Sequence, residues 1–300
     1  MTTTTERHQD PKTQYPEPPF AEQQQEPPGT ESELDPKADH GQETYTGSGR
    51  LTDRVALITG GDSGIGKAVA IAFAREGADV VISHLGGMEE ADASDTVEWV
   101  EKAGRRAISI AGDIQDPEHC QKLVDRTVSE LGNLDILVNN AAWQDCGDQL
   151  TEVTTEEWRR IFATNIEAMF HLAKAAVPHM REGGTIINTA SIQAFTPSPE
   201  LLPYAATKGA IVTFTKALAQ DPGVLEQGLR VNAVAPGPIW TPLIPSTMPA
   251  EKAAKFGENT PLGRAGQPAE LAPLYVFLAS QESSYITGEV IGITGGRPLT

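Results

Sequence analysis

The sequence is poor in cysteine and in basic residues. Among its 300 residues are two cysteines, Cys120 and Cys146, and 23 Lys and Arg against 41 Asp and Glu, so the formal net charge is −18. Two cysteines without metal-ligand spacing argue against a metal site, and we expect reduced thiols in a reducing cytosol, with a disulfide or reactive thiol as the alternative. The shortage of basic residues argues against partners such as nucleic acid or anionic membranes.

Long apolar runs are also missing. No stretch reaches the length of a transmembrane helix. The N-terminal residues Met1 to Glu6 lack the basic and apolar parts of a secretory signal. We therefore expect a cytoplasmic protein without a membrane partner. Because no His, Cys and Asp cluster stands out, we expect no catalytic metal either.

Residues 1–50 differ in texture from the rest of the chain. They are rich in proline, glutamine and glutamate and contain few large apolar side chains. Such a segment cannot bury enough surface to offset the entropy of ordering it. We interpret it as an extended N-terminal arm, which is either a disordered tail or a segment anchored on the domain or on a neighbouring subunit by Phe20 and Tyr45.

From residue 51 to residue 300 the pattern is typical of a single α/β domain. Apolar strands alternate with helices, which favours a parallel sheet of seven strands covered on both faces and wound in the doubly wound manner. The predicted strands are Val55–Thr59, Val80–Ser83, Ala107–Ala111, Ile136–Asn139, Thr185–Thr189, Arg230–Ala235 and Val290–Ile293. The predicted helices begin near Gly64, Glu89, Pro117, Thr155, Pro203 and Pro268.

The first strand leads into a glycine-rich turn. Its spacing, Gly60-x3-Gly64-x-Gly66, has the parts of the dinucleotide fingerprint in a shifted order. Glycine permits a tight turn and a close approach of phosphate to the backbone, and the following helix offers free N–H groups to a pyrophosphate. The turn indicates a phosphate-binding site, with a loop cluster of glycines as the alternative.

A tyrosine and a lysine stand four residues apart in Tyr204-Ala-Ala-Thr-Lys208, and Ser191 precedes them. On a helix this spacing places both side chains on one face. The phenol of a tyrosine ordinarily has a pKa of about 10. A nearby ammonium group favours the phenolate and so lowers this pKa. A tyrosine of lowered pKa can exchange a proton with a carbonyl or alcohol oxygen. An isolated pair of this kind is more often a surface pair without function, so the other motifs in the sequence determine how it is interpreted.

With these other motifs, the sequence resembles the short-chain dehydrogenase/reductase superfamily over about residues 52–296. The shared motifs, in order and spacing, are Thr59-Gly60-x3-Gly64-x-Gly66, Asn139-Asn140-Ala141-Ala142, Asn165, Ser191, Tyr204-x3-Lys208 and Asn232-x3-Pro236-Gly237. The sequence is similar in particular to a bacterial branch of general stress proteins and aldehyde reductases. There the segments found here as Thr59 to Gly66 and Ala235 to Pro245 recur, and an arm rich in Pro and Glu precedes the domain.

The resemblance implies a Rossmann-type fold, a nicotinamide cofactor and a homotetramer. It implies that Tyr204 is the general acid/base, that Lys208 lowers the pKa of Tyr204 and holds the ribose, that Ser191 binds the substrate oxygen, and that Asn165 holds a water beside Lys208. It assigns Asp113 to the adenine amino group, with a turn or helix-capping Asp as the alternative. The expected cofactor residues are Gly60, Asp62, Ser63, Gly64, Ile65, Gly66, Ser83, His84, Asp113, Ile114, Asn140, Ala141, Tyr204, Lys208, Pro236, Gly237 and Ile239.

The residues at the end of the second strand should determine the preference for NADP or NAD. Neither a carboxylate for the ribose 2′-OH nor an Arg for a 2′-phosphate follows it. Ser83 and His84 could accommodate a phosphate, and nothing in this stretch repels one. Asp62 lies where some NADP-preferring relatives have a basic residue. We expect NADP or NAD, with a slight preference for NADP.

The expected substrate residues are Ser191, Tyr204, Trp143 and Gln193, with Gln144, Ile192 and Phe195 nearby. Loop 238–260 is a predicted lid, or else a structural connection around a core-packed Trp240. The aromatic residues Trp143 and Phe195 suit apolar carbonyl compounds and the two glutamines suit hydroxylated substrates. We therefore expect small aldehydes or ketones first and sugars or polyols second. Two functions of other classes stay as alternatives: a non-catalytic sensor of nicotinamide redox state, and a structural stress protein acting through its acidic arm.

Overall fold

The structure is a computed structural model that describes residues 9–147 and 149–299. The segment Met1 to Glu6, where we expect no secretory signal, therefore lies outside the described residues. In the described part of the chain, no helix is both long enough and apolar enough to cross a bilayer.

A seven-stranded sheet runs through the domain in the order β3-β2-β1-β4-β5-β6-β7. All neighbouring strands are parallel. The strands are β1 (Val55–Thr59), β2 (Asp79–His84), β3 (Ala107–Ala111), β4 (Leu134–Asn139), β5 (Met180–Thr189), β6 (Arg230–Pro236) and β7 (Val290–Ile293). The predicted α/β fold with a seven-stranded parallel sheet is confirmed.

Helices cover both faces of this sheet. They are α1 (Gly64–Arg75), α2 (Glu90–Lys102), α3 (Pro117–Leu131), α4 (Thr155–Phe162), α5 (Ala168–Ala176), α6 (Leu202–Leu218), α7 (Pro222–Glu226), α8 (Leu243–Thr247), α9 (Ala250–Ala253) and α10 (Pro268–Ala279). Helices α1, α2 and α10 pack on one face around Phe73 and Tyr275, and α3, α5 and α6 pack on the other around Leu123 and Leu172. The inner strands of the sheet are thus buried from both sides, whereas the edge strands β3 and β7 are partly exposed.

The chain reverses its direction of growth between β1 and β4. From β1 it extends the sheet through β2 to β3, and it then returns to the other side of β1 with β4. The loops after these two strands diverge and leave a crevice at their carboxyl ends, which is where ligands bind in open α/β sheets. The glycine-rich turn follows β1 and the Asn139-Asn140-Ala141-Ala142 segment follows β4, so topology brings both predicted motifs to one place.

The described part of the N-terminal arm lies against the domain. Phe20 packs on Trp240 with ring centroids 4.6 Å apart. The Tyr45 hydroxyl donates to Glu76 Oε1 at 2.6 Å, just beyond the end of α1. Within the described arm, regular structure consists of one short turn of 3₁₀ helix, Glu31–Glu33. The arm is therefore held by contacts with the domain and not by a fold of its own.

Candidate active site

A cleft of about 320 Å³ opens at the carboxyl ends of the strands. Its walls come from the turn after β1, the ends of β2 and β3, the segment after β4, helix α6 and the loop after β6. This volume lies within the range of small-molecule sites. Most of the predicted cofactor and substrate residues line it, while Gly66 and Asn165 do not.

The glycine turn is shaped for a phosphate group. Gly60 and Gly64 have positive φ values of 61° and 49°, a backbone region that other residues rarely adopt. At Gly66 a Cβ would lie 1.8 Å from the carbonyl oxygen of Gly60. Gly66 thus allows α1 to pack on the turn from behind, which explains why it is absent from the wall.

Thr59 and Asn140 tie the two crevice loops together. The Thr59 hydroxyl accepts the N–H groups of Asn140 and Ala141 at 3.0 and 3.1 Å. The Asn140 side chain donates to the carbonyl oxygens of Thr59 and Gly60, both at 3.1 Å. Asn140 therefore braces the glycine turn with its side chain, and Ala141 is small enough to leave the cleft open.

Two buried polar atoms at the end of β2 have no hydrogen-bond partner among the described residues. They are Ser83 Oγ and His84 Nδ1, and both residues line the cleft. The other ring nitrogen of His84, Nε2, bonds to Ser109 Oγ at 2.9 Å. Buried polar groups are nearly always satisfied, so these two atoms favour a polar ligand at this end of the cleft.

Two acidic side chains from outside the stretch 80–86 reach the end of β2. The carboxyl groups of Asp62 and Glu89 lie at the same end of the cleft. Burial, with Glu89 as the next contribution, raises the pKa of Asp62 to about 8, and burial also raises the pKa of Glu89. Asp62 is therefore largely protonated at neutral pH and becomes a negative neighbour only in alkaline solution. The sequence concealed Glu89 because it follows β2 by several residues.

The remaining cofactor positions follow β3, which neighbours β2, and β6, which lies on the other side of the crevice. Asp113 and Ile114 line the cleft after β3, and Asp113 Oδ1 accepts the N–H of Gln115 at 2.9 Å. Gly237 follows β6, and a Cβ there would lie 2.7 Å from the backbone of Thr294. Pro236 and Ile239 also line the cleft.

Ser191, Tyr204 and Lys208 meet on the floor of the cleft. Ser191 follows β5, and its hydroxyl bonds to the phenol of Tyr204. Tyr204 and Lys208 lie one turn apart on α6, with the lysine Nζ 5.1 Å from the tyrosine ring centroid. Lys208 Nζ also donates to the carbonyl oxygen of Thr189 at 2.8 Å. Three chemically useful groups thus share one surface.

The predicted lowering of the Tyr204 pKa by Lys208 does not hold for the protein alone. Burial raises the pKa of Tyr204 to about 12, although the hydrogen bond from Ser191 opposes this rise. Burial also lowers the pKa of Lys208 to about 7. A lysine that is only partly charged near neutral pH attracts the phenolate weakly, so desolvation outweighs charge in this pair.

Asn165 lies behind the cleft wall in a π-helical turn, Ala163–Glu167, between α4 and α5. Its Oδ1 accepts the N–H of Trp143 at 2.7 Å, and its Nδ2 donates to the Trp143 carbonyl and to Thr207 Oγ1. One amide hydrogen thus holds the segment after β4, and the other holds Thr207 of α6. The predicted water beside Lys208 stays a prediction, and both N–H groups of the Asn165 side chain are already donated to protein acceptors.

Trp143 forms the far wall with a partner that the sequence did not indicate. The guanidinium of Arg160 lies 3.5 Å from the centroid of the Trp143 ring, and the indole N–H donates to Asp145 Oδ2. Gln193 also lines the cleft, and its Oε1 accepts the N–H of Ser198 at 2.6 Å. The expected pocket residue Phe195 instead packs in the core beside Ile211.

Loop 238–260 carries α8 and α9 over the cleft. Trp240 is 0% exposed and packs with Leu34 of the arm, so the structural alternative applies to this residue. The loop residues that line the cleft are Pro238, Ile239, Thr241, Pro242, Leu243, Ile244, Met248 and Phe256. The cover over the cleft is therefore mainly apolar.

Comparisons with known proteins agree with this geometry. The family model described as enoyl-(acyl carrier protein) reductase matches residues 60–297. General stress protein 39 of Bacillus subtilis is 48% identical over 95% of this chain and 99% of its own. The chain belongs to the short-chain dehydrogenase/reductase family. Its predicted oxidoreductase class is confirmed.

Further relatives and structures of this family are similar along most of their length. Glucose and ribitol dehydrogenase of Daucus carota is 46% identical over 92% of this chain and 95% of its own. NADPH-dependent aldehyde reductase 1 of Arabidopsis thaliana is 45% identical over 90% and 94%. A short-chain dehydrogenase from Burkholderia cenocepacia, solved with NADP, matches with a TM-score of 0.76 and 34% identity over 82% of this chain and 98% of its own. A 3-ketoacyl-(acyl-carrier-protein) reductase from Brucella melitensis, solved with NADH, gives 0.74 and 34% over 82% and 99%.

Within this short-chain dehydrogenase/reductase, sequence reasoning missed the side chains that enter the site through long-range packing. Arg160 reaches Trp143 from α4, Glu89 reaches the end of β2, and Pro28 of the arm lines the cleft. No local motif marks these three residues.

Proposed function

We propose that the protein is an NADP(H)- or NAD(H)-dependent oxidoreductase that interconverts small aldehydes or ketones with alcohols. The observation that carries this proposal is the meeting of Ser191, Tyr204 and Lys208 on the floor of a cleft that begins at the glycine turn. This arrangement places proton-transfer groups at one end and a phosphate-binding turn at the other. A dinucleotide held at the turn and the proton-transfer groups of the protein would therefore meet at the carbonyl group of the substrate.

The proton chemistry follows from the three side chains. When bound, the cofactor supplies or accepts the hydride. The hydroxyl groups of Ser191 and Tyr204 donate hydrogen bonds to the substrate oxygen as it becomes negative, and Tyr204 gives its proton to that oxygen. Because the pKa of Lys208 is about 7, its Nζ can take up or release a proton near neutral pH and renew the proton of Tyr204.

Three features of the site support a dinucleotide. Gly60 and Gly64 adopt backbone conformations that open the turn to a pyrophosphate. Ser83 Oγ and His84 Nδ1 are buried and unsatisfied where an adenosine ribose or its 2′-phosphate would lie. Similar structures were solved with NADP and with NADH, and one relative is named as NADPH-dependent. Since Asp62 is largely protonated at neutral pH, we retain a slight preference for NADP.

The substrate end favours a small carbonyl compound with an apolar body. Trp143, Leu243 and Met248 line it. Both nearby glutamine side chains already form hydrogen bonds within the protein, Gln193 with Ser198 and Gln144 with Thr247. With these amides engaged, fewer polar groups are available for a sugar. Sugars and polyols are the second candidate because one relative carries the name glucose and ribitol dehydrogenase.

A panel of aldehydes, ketones, sugars and polyols with NADPH and NADH in parallel tests the proposal. We expect the highest kcat/KM for a small aldehyde or ketone. Faster turnover of sugars would favour the second candidate. Cofactor binding without any turnover would favour a nicotinamide sensor instead of an enzyme.

Tyr204→Phe tests the assigned acid/base. Loss of the hydroxyl should lower kcat by about 100-fold or more, while the dissociation constant of the cofactor stays within about threefold because the ring is kept. Ser191→Ala is the companion variant and should also lower kcat. Turnover by Tyr204→Phe at the wild-type rate would contradict the assignment.

We also propose the wider organisation of the protein. Residues 1–50 form the arm and residues 51–300 the catalytic domain. The protein is cytoplasmic, as its two cysteines favour, and assembles as a homotetramer. Exposed aromatic side chains on α4 and α5, Trp158 and Phe170, support a subunit interface on that face.

A further inference from the structure

The arm crosses the cleft between its two walls. Pro28 lines the cleft, and its carbonyl oxygen accepts the hydroxyl of Ser246 in α8 at 3.1 Å. Gly29 packs so closely on the Pro242 carbonyl that a Cβ would lie 2.8 Å from that oxygen. The next residues lead to the start of α1. We call residues 28–31 the strap.

Glu31, the last residue of the strap, reaches the glycine turn itself. Its Oε1 accepts the N–H of Gly64 at 2.7 Å and also bonds to His40 Nε2 at 2.8 Å. Its own N–H donates to Asp92 Oδ2 at 2.8 Å. The residue is 8% exposed and begins the short 3₁₀ turn Glu31–Glu33 of the arm. Two contacts thus hold the buried carboxylate, and the third holds the backbone of the same residue.

Helix α1 depends on this contact because its own sequence does not supply a cap. Its N-cap residue, Ser63, makes no capping hydrogen bond with its side chain. The first N–H groups of a helix have no acceptor within the helix and need one from elsewhere. The arm supplies that acceptor to Gly64, and a carboxylate is well placed there because the helix dipole favours negative charge.

Gly64 is a demanding position for this contact. Its φ is positive, and a Cβ would lie 2.9 Å from the side chain of Thr241 on the opposite wall. Glu31 and Thr241 therefore hold this residue from two sides. The neighbouring residues Ser63 and Ile65 line the cleft, so any shift of Gly64 moves the wall that a pyrophosphate would touch.

We propose that Glu31 is a positioning residue of the cofactor site, which caps α1 from the arm and thereby fixes the phosphate-binding turn. This inference rests on the proposed function, because it names the part of the arm on which cofactor affinity depends. It makes the arm a component of the site. The bond to His40 offsets part of the charge that Glu31 would otherwise present to a phosphate.

Fluorescence titration of the full-length protein with NADPH and with NADH tests this role. Glu31→Ala should weaken binding of both cofactors about tenfold, the effect of losing one charge-assisted hydrogen bond. Glu31→Gln retains an acceptor oxygen for Gly64 and should bind within about threefold of the wild type. With saturating cofactor, kcat should stay unchanged in both variants, so the effect appears in KM alone.

Tyr45→Phe is the matched control, because it removes an arm contact at the other end of α1. It should leave both dissociation constants unchanged. Hydrogen exchange in the cofactor-free protein adds a readout that does not depend on the ligand: Glu31→Ala should speed exchange in residues 63–67, and Tyr45→Phe should not.

Unchanged cofactor binding by Glu31→Ala would overturn the inference, and tighter binding would show that Glu31 competes with phosphate. Failure of the proposed function is a separate outcome, seen when the wild-type protein itself binds neither NADPH nor NADH. The ratio between the variant and wild-type dissociation constants thus tests Glu31, and the wild-type value tests the function.

Discussion

Burial of Lys208 disfavours the charged amine that its proposed role in proton transfer requires. The side chain is 2% exposed, and burial lowers its pKa to about 7. In an unfolded chain the pKa of lysine is about 10.4. Folding therefore disfavours the charged form, and the cost is largest at and below pH 7 and shrinks as the pH rises toward the unfolded value. The group that we propose for proton transfer is thus kept at the expense of stability.

Lys208→Met should stabilise the protein at neutral pH. Removing the buried amine should raise the free energy of unfolding at pH 7 by about 1–4 kcal/mol, and the gain should shrink toward pH 10. Urea unfolding of both proteins at the two pH values measures this difference. A variant that is less stable at pH 7 would show that the hydrogen bond to Thr189 outweighs desolvation.

Asp62 should make stability fall as the pH rises. Burial first, and then Glu89, raises its folded pKa to about 8, whereas the unfolded pKa is about 3.9. Its contribution is present in full below the unfolded pKa and is lost as the pH approaches 8. Asp62→Asn should therefore match the wild type near pH 4 and exceed it by about 1–3 kcal/mol at pH 8, as measured by urea unfolding.

Cofactor binding gives an independent check on Asp62. Above pH 8 its ionised carboxylate lies at the end of the cleft that holds Ser83 and His84. NADPH should then lose affinity more steeply than NADH in the wild type, and Asp62→Asn should remove the difference. Parallel pH profiles for the two cofactors in both proteins would contradict this placement of the 2′-phosphate.

Residues of the site differ in how far the sequence could reveal them. Tyr204 and Lys208 could be predicted, because helical spacing is a local property and two residues one turn apart must share a face. Glu31 could not, since one glutamate in an arm rich in glutamate has no distinguishing neighbour. The protonation of Asp62 also depends on burial by segments distant in sequence, which no local pattern specifies.

Among the elements, the bounds of three strands were predicted correctly, including those of the partly exposed edge strands β3 and β7. Strands β1, β3 and β7 begin and end at the predicted residues. Strand β5 begins at Met180 instead of Thr185, because its charged and glycine-containing first half lacks an apolar pattern and pairs with β4 across a register shift. Helices α8 and α9 were missed, since their prolines and short length hide them within a loop.

The arm and loop 238–260 should stabilise each other. Phe20 packs on Trp240, the Phe20 N–H donates to the Ala254 carbonyl at 2.7 Å, and the Trp240 indole donates to the Pro36 carbonyl at 2.8 Å. Phe20→Ala should cost about 1–3 kcal/mol, so we expect a lower Tm and faster proteolysis of the arm. Differential scanning calorimetry and limited proteolysis measure both effects.

Tyr285→Ala is the control for this prediction, because Tyr285 is fully exposed and packs on nothing that would be lost. It should change neither the Tm nor the cleavage pattern. If Phe20→Ala behaves like Tyr285→Ala, the arm is held by its other contacts, such as those of Tyr45 and Glu31, and the aromatic contact with Trp240 contributes little.

At the scale of the whole molecule, charge opposes the proposed assembly. Each chain carries a formal charge of −18, so subunits repel one another at low ionic strength. An interface must therefore gain its energy from apolar contact. The face of α4 and α5 offers such a contact, with Trp158 stacked on Phe162 at 4.5 Å and Phe170 48% exposed. Salt should strengthen association by screening the repulsion.

Phe170→Glu tests this interface. It replaces an exposed ring with a further negative charge, so the assembly should dissociate toward the 32.0 kDa chain in light scattering, most completely at low salt. Leu225→Glu changes a side chain of similar exposure on α7 and should leave the mass unchanged. A wild-type protein with the mass of one chain would make the homotetramer wrong. An intact assembly in Phe170→Glu would move the interface to another face, because a buried glutamate in an apolar contact costs several kcal/mol unless it is paired.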